Sequence, residues 1–80
     1  MRAYRDLAPT DEMLTGYDRR CFKLYIMLID ADDAGVPWDD SYPHLFDEPI
    51  GAHRQQAERR HRSHLHRARW MTAAGYRQLL

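Results

Sequence analysis

Between Thr15 and Gly35 the chain can place apolar side chains on more than half the circumference of a helix, and that segment dictates how the rest must arrange itself. Thr15 is a good helix cap, and Asp18, three residues on, completes a capping-box pattern. The Asp18 carboxylate also suits the positive end of the helix dipole. Gly35 and then Pro37 stop the run, which predicts one helix over 16–34. At the helical period, Tyr17, Cys21, Leu24, Leu28 and Ala31 share one face. Phe22, Ile26 and Ile29 form a second apolar face, bridged to the first by Tyr25. Arg19, Arg20, Lys23, Met27 and Asp30 are left for the remaining side. Such a helix is either central or half-covered by a partner. An 80-residue chain has little else to cover it with, so Phe22, Ile26 and Ile29 are candidates both for core and for a partner-binding surface.

Residues 1–14 show no clean period and contain Pro9, so they read as an N-terminal arm, partly disordered, with Leu7 and Leu14 tucked onto the domain. A short helix is expected from Asp39 or Asp40 to Phe46, with Pro43 tolerable only in its first turn. The stretch 47–51 breaks it, and a long helix follows over 52–73. Its inward stripe reads Ala57, His61, His64, Leu65, Ala68 and Met71, small enough to approach the bulky first helix closely. Trp70 falls on the other side with Arg59, Ser63 and His66, which makes Trp70 and Arg59 further candidates for partner contact. Gly75 is a left-handed stop, after which Tyr76, Leu79 and Leu80 can dock on the core or on Trp70. The expected fold is all-α: three helices and a docked C-terminal tail over 15–80, with stability on the order of 3–5 kcal/mol.

The chemistry of sites is thin. One cysteine excludes an intramolecular disulfide framework and a Cys-rich zinc module. The longest apolar run, Leu24 to Ile29, is far short of a membrane span, and no leader pattern opens the chain; a soluble cytoplasmic protein is expected. His61 and His64 lie one turn apart with His66 nearby, but their neighbours are arginines, which oppose a cation, so no metal is expected. Cys21 faces inward and reads as an inert thiol. Asp30, Asp32 and Asp33 lack the glycine and glutamate spacing of a calcium loop. No phosphate loop, nucleophile elbow or walled cavity is legible, so the chain reads as no enzyme and needs no cofactor.

A formal net charge of zero hides a division. Residues 1–50 carry eleven acids against five bases, a net of −6, whereas 51–80 carry seven arginines against Glu58, a net of +6. Complementary packing of the two parts and an exposed charged face for a partner both account for it. The short helix, its turn and the basic helix have the order of a helix-turn-helix. In a DNA reader, Arg54, Arg59, Arg60, Arg62, Arg67 and Arg69 would meet phosphates or bases. Yet seven acids and no base lie between Asp30 and Glu48, and Asp47 and Glu48 stand at the entry to the second helix, where each carboxylate subtracts from phosphate affinity.

Three stretches carry a resemblance: Leu14-Thr15-x-Tyr17-Asp18-Arg19; Leu24-Tyr25-x-x-Leu28-x-Asp30-Ala31 with Gly35 and Trp38; and Ser63-His64-Leu65-x-Arg67-Ala68-Arg69-Trp70-Met71-Thr72 with Gly75-Tyr76-Arg77 and Leu79-Leu80. Over about 14–80 the chain resembles a bacterial domain-of-unknown-function family, a helix-turn-helix variant with an extended turn found in regulators of conjugative elements. The resemblance implies one of two roles. In full-length activators the domain follows an N-terminal domain and takes part in DNA binding. Stand-alone members are antiactivators that dock on the N-terminal domain of an FseA-like transcriptional activator in place of the activator's own copy. The acids over 30–48 and Pro43 depart from the activator pattern and favour the second role, as a monomer or weak homodimer.

Overall fold

The capping box forms as its spacing predicts. In the computed structural model, which describes residues 4–74, the Asp18 N–H donates to Thr15 Oγ1 at 3.1 Å and the Thr15 N–H donates back to Asp18 Oδ2 at 2.9 Å. This opens the first of four helices: α1 (Gly16–Arg20), α2 (Phe22–Asp33), α3 (Trp38–Phe46) and α4 (Arg54–Ala73). The described residues contain no strand, so the fold is all-α.

The expected single helix over 16–34 is divided at Cys21. There the backbone sits at φ −96°, ψ 11°, and the Cys21 N–H is shared between the carbonyls of Tyr17 (3.0 Å) and Asp18 (3.2 Å). Sharing between the i−4 and i−3 carbonyls tightens one turn toward 3₁₀ geometry, which separates α1 from α2 without breaking the thread of bonds. The Tyr25 N–H still reaches the Cys21 carbonyl at 2.9 Å. α2 ends in a Schellman arrangement: Gly35, at φ 76°, donates to the Asp32 carbonyl and Val36 donates to the Ala31 carbonyl, both at 3.0 Å.

α3 starts at Trp38, with Pro37 rather than an aspartate at its cap position, and the Asp40 and Ser41 N–H groups both bond the Pro37 carbonyl. Pro43 therefore lies beyond the first turn, contrary to expectation. It withholds one backbone N–H from a helix that ends three residues later, so the loss stays at about one bond. Asp47 closes α3 in the left-handed region at φ 55°, and α4 begins at Arg54, two residues later than expected.

α2 packs on both α3 and α4, and α3 on α4. The core they enclose holds Tyr17, Cys21, Leu24, Tyr25, Leu28, Tyr42, Phe46, Ala57, Ala68 and Met71. The inward stripe of α4 is as expected at Ala57, His61, His64, Ala68 and Met71, while Leu65 is half-buried at its edge. In the arm, Leu14 packs on the core but Leu7 is 53 % exposed; Ala8 and Pro9 are buried in its place. The reason is local, since the Ala8 N–H donates to Ser63 Oγ of α4 at 2.7 Å. The tail residues Tyr76, Leu79 and Leu80 lie outside the described residues.

Candidate functional site

The polar interior determines which side chains remain available outside. Asp18 is fully buried, yet its carboxylate accepts from Tyr25 Oη (2.7 Å), from Arg67 Nε and Nη2 (3.0 and 2.7 Å) and from the Thr15 backbone. Burial pushes its pKa up, but the hydrogen bonds from Arg67, Thr15 and Tyr25 together outweigh that and bring it down to about 2. Arg67 spends its remaining donors on the arm, at the carbonyls of Asp11 (2.6 Å) and Met13 (3.0 Å). Beside it, His64 bonds the Arg60 carbonyl through Nδ1 (2.8 Å) and Tyr17 Oη through Nε2 (2.7 Å). A carbonyl only accepts, so Nδ1 carries the proton and Nε2 accepts from the tyrosine. Burial lowers the His64 pKa, in keeping with a neutral ring.

The arginines of α4 divide by environment. Arg60 is buried and bonds Asp6, the Arg5 carbonyl, Tyr42 Oη (2.8 Å) and Glu48 (2.5 Å). Arg67 is buried against Asp18, and its guanidinium lies 3.8 Å from the centre of the half-buried Trp70 ring. Arg54 pairs with Asp39 (2.8 Å) and lies over the Trp38 ring. Arg69 holds Asp32 and Asp33 at 2.6 and 2.7 Å. Arg62 pairs with Glu58 one turn back (3.0 Å). Arg59 is exposed, with no carboxylate partner among the described residues. Of the six arginines that a DNA-binding face would recruit, Arg54, Arg60, Arg67 and Arg69 are bonded to acids of the first fifty residues. The −6 and +6 parts therefore neutralise each other largely within the molecule. The sequence pattern did not reveal that Arg60 and Arg67 are interior; the signal it held was the excess of acids in the first fifty residues.

The other candidates lie on α2. Its inward face closes the core through Leu24, Tyr25 and Leu28, which leaves Phe22 and Ile26 at 40 % and 42 % exposure. Ile29 is half-buried against the core and continues the stripe. Phe22, Ile26 and Ile29 thus share one face of α2, and Arg19, Arg20 and Lys23 are exposed. Met27, assigned to the polar side from its position, is exposed there. Arg59 and Trp70 belong to α4, so the candidates fall on two elements.

Cys21 is buried, and burial raises its thiol pKa, the setting of an unreactive sulfur. Among the described residues, no three His, Cys, Asp or Glu side chains converge as metal ligands, and no helix is long and apolar enough to cross a membrane. No family model matches the chain, and no curated protein or solved structure matches it either.

Proposed function

We propose that the chain is a protein-binding module that acts as a transcriptional antiactivator: it docks on the N-terminal domain of an activator, takes the place of the activator's own helical domain, and so represses excision and transfer of a conjugative element. The observation that carries this reading is the apolar stripe Phe22–Ile26–Ile29 of α2, partly exposed although the neighbouring face of the same helix already fills the core. Exposed aromatic and branched side chains that gather on one face are what an interface desolvates. The resemblance stated from the sequence supplies the identity of the partner.

Co-purification with the activator's N-terminal domain tests it. The wild-type chain is expected to be retained, and Ile26→Asp to be lost while keeping its thermal midpoint. Retention of Ile26→Asp at wild-type level would overturn the role given to α2.

DNA binding is the second reading, favoured by Arg59 and by the exposed Arg62, paired only with Glu58 of its own helix among the described residues. Tight duplex binding that falls steeply with salt would support it instead.

A further inference from the structure

Away from α2, a groove of about 370 Å³ runs between the arm and α4. Ala8 and Pro9 form one wall, Arg59, Arg62, Ser63 and His66 the other, and the lining is mostly carbon. The bond from the Ala8 N–H to Ser63 Oγ fixes the arm wall to the helix, so the groove is already formed in the free chain. Arg59, Arg62 and His66 stand at i, i+3 and i+7, which lines them along one side of α4. Arg59 has no carboxylate partner among the described residues. Arg62 is 77 % exposed and, among the described residues, pairs only with Glu58, itself 40 % exposed. A pair that open to solvent is worth little and exchanges readily for a better partner.

We propose that this groove binds a short acidic segment of a partner protein, with one apolar side chain seated against Ala8 and Pro9 and flanking carboxylates paired with Arg59 and Arg62. Arginine matches a carboxylate with two parallel N–H bonds, and two guanidiniums one turn apart fit acids on either side of an apolar residue. A carbon-lined floor offers a seat to an apolar side chain and nothing to a nucleic acid backbone. The groove is built from the arm and α4 alone, so this inference goes beyond the α2 reading and does not rest on it.

The test is a titration of the isotopically labelled full chain with a capped synthetic peptide, a central leucine flanked on each side by two acidic residues. Saturable amide shifts are expected at Ala8, Ser63 and His66. The double variant Arg59→Gln/Arg62→Gln, at exposed positions that leave the thermal midpoint unchanged, should weaken binding at least tenfold, as should asparagine in place of the leucine. Ile26→Asp should bind the peptide like the wild type, which separates this site from the α2 surface. Absence of saturable shifts at those amides, undiminished binding by the double variant, or displacement of the peptide by a duplex DNA that shifts the same amides would each overturn the proposal.

Discussion

The Asp18 carboxylate closes the first turn of α1 and also receives Nε and Nη2 of Arg67, on the far side of the sequence, at 3.0 and 2.7 Å. A local helix signal and a long-range ion pair thus share one side chain. Arg67 in turn bonds two arm carbonyls, so arm, α1 and α4 are joined at a single point.

Removing one member of a buried pair leaves the other charge unpaired, which costs about 3–5 kcal/mol. For a domain of this size that is comparable to the whole stability. Asp18→Asn is therefore expected to be largely unfolded at 25 °C by far-ultraviolet circular dichroism. Arg67→Lys should rescue little, because a single ammonium cannot supply the fork to Asp18 and the two carbonyl bonds together. An Asp18→Asn chain that melts within a few degrees of wild type would show that the pair contributes little.

Acid should weaken the fold in two stages. His61 and His64 have pKa values held below the ordinary 6.5, burial being the main cause. His64 faces Tyr17, Tyr25, Phe46 and the Arg60 carbonyl, with the Arg60, His61 and Asp18 charges nearby. The unfolded chain takes up protons at these rings before the folded one does, so their contribution is complete above about pH 6.5 and declines as pH falls below it. Asp18 acts lower down. Its folded pKa of about 2 against an ordinary 3.8 contributes on the order of 2 kcal/mol above pH 4, lost as pH falls toward 2. Denaturant midpoints measured from pH 7.5 to 3 should first fall between pH 6.5 and 5. His64→Gln should flatten that first stage, and an unchanged slope in that variant would remove His64 from the account.

Much of the fold was legible because the strongest signals are local. The box at Thr15 and Asp18, the Gly35 stop and the inward stripe of α4 each depend on spacings of about one helical turn along the chain. The division at Cys21 was not legible, since no residue there disfavours a helix and only the sharing of one N–H marks it. Nor were the interior positions of Arg60 and Arg67, because an arginine is buried only when acids and carbonyls from distant segments reach it. The α2 surface was legible as surplus apolar face; the groove beside the arm was not, because the arm shows no period from which its path could be read.

Asp47 ends α3 at φ 55°, a left-handed position where glycine is the usual residue. Asp47→Gly relieves that strain but adds freedom to the unfolded chain, and the first effect is the larger. The variant should gain about 0.5–1 kcal/mol in urea denaturation. Gly35→Ala, at φ 76° with open space around its Cβ, should lose more than that from backbone strain alone. A neutral result at both positions would mean that these turns relax at no cost.

The pairing of Arg69 with Asp32 and Asp33 carries a prediction about nucleic acids. Each phosphate that a protein neutralises contributes about −0.9 to the slope of log affinity against log salt. With Arg54, Arg60, Arg67 and Arg69 bonded to the chain's own acids, only Arg59 and the weakly paired Arg62 are readily available on α4. Duplex DNA should then bind weakly at low salt, with a slope no steeper than about −2. Asp32→Asn/Asp33→Asn frees Arg69 at the surface without touching the core, and should strengthen low-salt binding severalfold and steepen the slope by about one phosphate's worth. Fluorescence anisotropy over a salt series reads both quantities. A wild-type slope near −5, or selective binding of one sequence at physiological salt, would show instead that these arginines leave their acids for DNA, and would restore the nucleic acid reading of α4.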